Sequence, residues 1–144
     1  MRFDADTSFL GNLYFGGERF SALAKRIQSR FHLVAEVSSL VRLELRLSVL
    51  RNVAARSSGW DAFLQDVEEG KFLLQTVNWE QLHVQAESLA SQKGRSLSLG
   101  TLDTLHVAAA LQLGVTHFIS FDTVSCQRGF ARACGLKLLP KDMP

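Results

Sequence analysis

Carboxylates recur in this chain where a short apolar run gives way to a helix pattern. Asp6 follows the first extended segment, Asp103 opens the apolar stretch LDTLHVAAALQ, and Asp122 comes directly after HFISF. Glu44 is the exception, set inside VRLELRL among leucines of a helix pattern. Oxygen donors of this kind suit Mg2+, a hard cation that keeps several waters and binds a few carboxylates at an open site. An ion so held could polarise a phosphate, activate a water and stabilise the leaving oxygen of an in-line displacement. That is the chemistry of a nuclease.

Each aspartate also has a plainer use. Asp6, Asp103 and Asp122 all stand where a helix needs a capping acceptor or favours negative charge in its first turn. Glu44 is harder to explain that way. A carboxylate on a largely buried helix needs a counter-charge, and Arg42 and Arg46 lie two residues away, which points them to other faces. A metal ion, or an arginine distant in sequence, would satisfy it. Asp4 precedes Asp6 by two residues and suggests a local polar role rather than a further ligand. His106, one turn beyond Asp103, reads as a partly buried structural histidine bonded to neighbouring backbone, with a ligand or general-base role as the alternative. His32, His83 and His117 do not cluster.

Elements that could bring the acids together follow from hydrophobic periodicity. Residues 1–5 read as a strand, and Thr7 or Ser8 as the cap of a helix over SFLGNLYF. Gly16 and Gly17 then break the chain, and Phe20, Leu23, Ala24, Ile27 and Phe31 mark an amphipathic helix. HLVAEV is the second strand. Ser38 or Ser39 caps an apolar helix to about Ala55, and Ser57–Ser58–Gly59 separates it from a helix with Trp60, Phe63, Leu64 and Val67 on one face, closed by Gly70. KFLLQTV is the third strand. Asn78 caps a helix with Trp79, Leu82, Ala86, Leu89 and Ala90 inward. Thr101 caps the next helix, HFIS is the fourth strand, residues 123–134 form the last helix, and LKLLP closes as a fifth strand. Strands alternating with helices predict an α/β fold of one domain over 1–144, its mainly parallel sheet of four to five strands covered on both faces. Acids at strand-to-helix junctions would then gather outside the carboxyl ends of the strands.

Composition sets the outer bounds. The 144 residues are 47% apolar and 21% charged, as expected of a globular protein with a real core. A formal charge of +2 is too small for a protein that binds nucleic acid by charge alone. No stretch is long enough to cross a bilayer. MRFDADT carries acids where a secretion signal needs an apolar core, so the cytoplasm is the expected compartment. Cys126 and Cys134 fit buried thiols in a reducing compartment better than a disulfide.

The ordered set DTSFL at 6–10, SSLVRLELR at 38–46, FLQDVEEGKFLL at 63–74, LDTLHVAAALQLG at 102–114 and FISFDTVSCQRGFARACGLKLLP at 118–140 resembles the PIN-domain family, and within it the VapC-type toxins of toxin–antitoxin pairs. The resemblance implies a cluster of Asp6, Glu44, Asp103 and Asp122 that binds Mg2+ or Mn2+ and hydrolyses RNA. It makes Asp6 and Asp103 the principal ligands, with Glu44 and Asp122 completing the metal shell or orienting the attacking water. Thr7 and Ser120 would fix the carboxylates by hydrogen bonds. It also implies a cognate antitoxin and a homodimer, the apolar residues of the early helices being available for pairing. The loop at 94–100 and the Gly16–Gly17 turn are candidates for substrate contact.

Two rival functions fit part of the pattern. The same scaffold could serve as a catalytically silent RNA- or protein-binding module. DADTS also matches the acidic pair of haloacid-dehalogenase-type phosphohydrolases, with Asp4 as nucleophile, but that chemistry needs a later lysine in a phosphate-binding context and leaves Glu44 unexplained.

Overall fold

The computed structural model describes residues 1–144. In chain order the elements are β1 (Phe3–Ala5), α1 (Thr7–Tyr14), α2 (Ser21–Phe31), β2 (Ala35–Ser38), α3 (Ser39–Leu50), α4 (Val53–Glu68), β3 (Phe72–Gln75), α5 (Trp79–Lys93), α6 (Thr101–Gln112), β4 (His117–Ile119), α7 (Gln127–Ala133) and β5 (Lys137–Leu139). The five strands form one parallel sheet in the order β3-β2-β1-β4-β5. The chain winds outward from β1 in one direction and then, from β4, in the other. That reversal leaves a crevice at the carboxyl ends of β1 and β4, where Asp6 and Ser120–Asp122 emerge.

Helices cover both faces, and strand alternation decides what each face buries. Phe3, Ala5, Ala35 and Val37 point into a 19-residue apolar core shared with α1, α2, α3 and α4. On the opposite face Phe118 packs with Val107 and Ala110 of α6 and Phe130 and Ala131 of α7. Leu82 and Ala86 of α5 meet Ala108 and Ala109 of α6 in a third cluster. Asp4 and Glu36, register partners on β1 and β2, are buried between the apolar residues of their strands. Arg2 pairs with Glu36.

Several boundaries differ from the sequence expectation, each for a local reason. The break between α3 and α4 falls at Arg51–Asn52, where the Asn52 side chain accepts from Ala55 N. Ser57–Ser58–Gly59 lies inside α4, and the Ser57 hydroxyl donates to Val53 O at 2.7 Å. Gly59 is a packing residue rather than a breaker: a Cβ there would lie 2.4 Å from Tyr14 O and 2.9 Å from the Phe15 ring, so its absence lets α4 approach the end of α1. His32 leaves the second strand and ends α2 in the left-handed conformation at φ 43°. Trp79 is 42% exposed because only Leu82 and Ala86 of α5 turn fully inward. The last helix begins at Gln127, not at 123, since Asp122 first closes a turn.

Candidate active site

Asp6 joins the two central strands. Its amide donates to Ile119 O of β4 at 3.0 Å, and its carboxylate, rather than Thr7 or Ser8, caps α1. Oδ2 accepts from the Ser8 hydroxyl at 2.7 Å, from Ser8 N at 3.4 Å and from the Ser120 hydroxyl at 3.1 Å, while Gln127 Nε2 approaches Oδ1 at 3.5 Å. The Ser120 hydroxyl also lies 3.1 Å from Gln127 Oε1. This buried carboxylate is therefore oriented from three elements at once.

Asp122 is held by its own turn. Oδ1 accepts from Val124 N at 2.8 Å and Ser125 N at 3.0 Å, and the Ser125 hydroxyl donates to Oδ2. Burial disfavours its charge, but these hydrogen bonds outweigh burial and leave the carboxyl below its ordinary pKa. Asp103 shows the reverse balance. It lies in the first turn of α6, folded back towards Gly100, whose side a Cβ would approach to 3.2 Å from Oδ2. Burial, reinforced by the negative charges of Asp122 and Asp6, raises its pKa. Thr101 is the first residue of α6, and Gly100 occupies the cap position without a side-chain bond.

Glu44 finds its partner across the fold. His106 Nε2 lies 2.6 Å from Oε2, and the Thr7 hydroxyl donates to the same oxygen at 2.8 Å. The side chain is 39% exposed, less buried than its leucine-flanked position implied. The hydrogen bond from His106 is the main cause of its lowered pKa. Burial pushes the His106 pKa down, but the Glu44 bond and the charges of Asp6, Glu44 and Asp4 carry it above the ordinary value. His106 therefore bonds a carboxylate rather than neighbouring backbone, and its Nδ1 is buried without a partner. Asp4 is also buried, with Oδ1 unpartnered, and burial together with the Asp6 charge raises its pKa strongly. At 2% exposure it is poorly placed for the nucleophile that the haloacid-dehalogenase reading needs.

Asp6, Asp103 and Asp122 thus lie at the switch-point end of the sheet, near enough for the Asp6 and Asp122 charges to act on Asp103, and Glu44 is held nearby by Thr7 and His106. The donors are carboxylate oxygens, and the Asp122 and Asp6 charges add to burial in raising Asp103, so the chemistry of the set fits a hard divalent cation. In this arrangement no three His, Cys, Asp or Glu side chains converge closely enough to enclose an ion together. Ser125 and Gln127 were absent from the sequence expectation, and Ser8 entered it only as a helix cap. Ser8 and Ser125 had a local signal, a hydroxyl two or three residues after a capping aspartate. Gln127, 121 residues from Asp6, had none.

The chain belongs to the PIN-domain family: the family's sequence profile matches residues 5–133. Three solved structures share the fold. VapC20 of Mycobacterium tuberculosis, a toxin described as cleaving the sarcin–ricin loop, superposes with a TM-score of 0.70 at 19% identity, covering 99% of each chain. A chain of VapBC2 from Rickettsia felis, determined with a DNA fragment of its promoter, gives 0.68 at 16% identity over 96% of this chain and 97% of that one. FitAcB of Neisseria gonorrhoeae gives 0.58 at 17% identity over 94% and 95%. A search of curated protein sequences finds no match.

Proposed function

We propose that the chain is a metal-dependent endoribonuclease working as one domain over 1–144, with Asp6, Glu44, Asp103 and Asp122 as its functional carboxylates. The observation that carries this reading is that Asp6, Asp103 and Asp122 stand at the switch-point end of the sheet with no arginine or lysine in an ion pair with any of them. Family membership and a fold neighbour described as cleaving the sarcin–ricin loop support RNA as substrate. Mg2+ or Mn2+, when bound, supplies charge neutralisation of the phosphate and a more acidic water. Asp6 and Asp103 are the principal ligands, with Asp122 and Glu44 beside them. The chain's own contribution is orientation. Ser8, Ser120 and Gln127 hold Asp6, the 122–125 turn holds Asp122, and Thr7 with His106 leaves one oxygen of Glu44 free for the crevice.

The same reading takes the protein as the toxin of a toxin–antitoxin pair in the cytoplasm, inhibited by a cognate antitoxin. No helix is long and apolar enough to cross a membrane. Leu43, Leu47 and Leu50 form an exposed stripe on α3 that suits a homodimer contact. A binding module without turnover is the second reading, favoured by the lack of a converged three-ligand group. The deciding experiment is cleavage of an end-labelled RNA pool with Mg2+ or Mn2+, against a chelator and Asp103→Asn. We expect cleavage that both controls abolish. Metal-stimulated RNA cleavage that survives Asp103→Asn would remove the acidic site, and no cleavage of any RNA would favour the binding module.

A further inference from the structure

Outside the acidic crevice, the cations of this chain concentrate along α2 and the C-terminal segment. A groove of about 850 Å3 lies between them, with Ile27, Phe31, Leu139 and Pro140 among its walls, and Lys25, Arg26, Arg30 and Lys141 around it. No acidic residue lines it. A second concavity shares Leu23, Arg26 and Pro140 with the first and adds Arg19, two residues before α2. A third, which contains Asp122 and Ser125 of the candidate site, shares Asp142 and Met143 with the second and Lys141 with the first. These hollows are therefore neighbours, each sharing wall residues with the next from Asp122 to Phe31.

The direction of α2 explains the continuity. Its start lies at the crevice end of the sheet, where Phe20 meets Phe121 at 5.8 Å, and its end lies at the opposite edge, where Phe31 meets Phe3 at 6.2 Å. Arg26 and Arg30 are one turn apart on the same face of this helix. The cations in the region divide into two sets. Arg128 donates to Ser120 O and to Pro140 O, and Arg132 donates to Lys141 O and reaches Asp142, so both are spent in fixing the C-terminal wall. Lys25, Arg26 and Lys141 are exposed and enter no ion pair, while Arg30 meets only the Phe31 ring, at 5.8 Å. Phe31 is itself 37% exposed.

We infer that this groove is the path of a single-stranded nucleic acid leading away from the acidic site, with phosphates on Arg26, Arg30, Lys25 and Lys141 and a base stacked on Phe31. The inference rests on the nuclease reading for the destination of the strand. Free guanidinium groups beside an exposed aromatic ring are the combination that grips a backbone and stacks a base without reading sequence. An acidic peptide would use the cations but not the ring.

The test is binding of a fluorescein-labelled, mixed-sequence single-stranded RNA to the full chain in chelator, read by anisotropy across a salt series. Chelation separates binding from cleavage, so this result stands apart from that of the cleavage assay. The Arg26→Gln/Arg30→Gln double variant should bind at least about tenfold more weakly, with a log–log salt slope shallower by about 1.4, or about 0.7 for each phosphate the variant no longer neutralises. Phe31→Leu, which keeps an apolar contact with Phe3, should weaken binding at least about fivefold while leaving the slope unchanged. Lys71→Gln, a cation already held by Asp66 and Glu69, should change neither. Unaltered affinity and slope in the double variant would overturn the proposal. So would a wild-type chain that ignores RNA but binds a polyglutamate peptide through the same arginines.

Discussion

The two faces of the central strands have been put to different uses. Towards α1–α4, Phe3, Ala5, Ala35 and Val37 enter a continuous apolar core rich in aromatic rings, where Phe63 lies within 5.4–6.0 Å of Trp60, Tyr14 and Phe72. Between those same residues stand Asp4 and Glu36, buried at 2% and 5% exposure, and His106 of α6 is buried at 3%. One face gains stability from packing. The other carries, beside the smaller Phe118 cluster, ionisable groups with unpartnered atoms at Asp4 Oδ1, Glu36 Oε2 and His106 Nδ1, an arrangement that costs stability. The contrast teaches that this sheet is anchored from one side and electrostatically tuned from the other.

The largest effect should come from breaking the anchored side. Phe63 is fully buried and surrounded by rings, so Phe63→Ala should cost about 3–5 kcal/mol in denaturant unfolding. A cost below that of an ordinary surface change would mean the apolar face is not the anchor. This side was also the more legible in the sequence. The spacing of Phe63, Leu64 and Val67 marked the inner face of α4, and Asn78 marked the start of α5, where its side chain does accept from Gln81 N. What misled was local composition: Ser57–Ser58–Gly59 resembles a break, yet Gly59 is set by the Tyr14 carbonyl it must clear, a neighbour 45 residues away in sequence that no local pattern encodes.

On the tuned side the expected effect is smaller and depends on pH. Burial raises the Asp4 pKa, so the folded chain holds this proton more tightly than the unfolded one. The stability Asp4 contributes is full below its ordinary value of 3.8 and is lost as pH rises through the raised folded value. Asp4→Asn keeps the shape and removes the titration. The variant should match wild type in acid and exceed it by about 1–3 kcal/mol at pH 8 in parallel denaturant titrations. A constant difference at every pH would show that folding leaves the Asp4 pKa unchanged.

The candidate site was legible in where its acids stand along the chain and not in their pairings. Acids at the ends of the first and fourth strands were visible because an aspartate between an apolar run and a helix is a local pattern. The link between Glu44 and His106 was not visible, since 62 residues separate them and either could be satisfied in other ways. Glu44 did signal that something must compensate it, because a leucine-flanked carboxylate is physically incomplete. The structure supplies that compensation with Thr7 and His106, where the sequence had pointed to a metal ion or an arginine.

The smallest effect on stability belongs where the two faces meet, at Ser120. Its hydroxyl lies between Asp6 Oδ2 and Gln127 Oε1 at 3.1 Å each, in a fully buried position. Ser120→Ala removes it without opening a large cavity, and the Ser8 hydroxyl still holds Asp6 Oδ2 at 2.7 Å. Unfolding stability should therefore fall by only about 1 kcal/mol. Cation affinity, read by calorimetry with Mn2+, should fall by about tenfold or more, because a carboxylate freed to rotate loses the orientation its other oxygen needs. Ser120→Thr should retain most of the affinity. If Ser120→Ala costs several kcal/mol in stability and leaves cation binding unchanged, the hydroxyl belongs to the architecture of the β1–β4 junction and not to the orientation of Asp6.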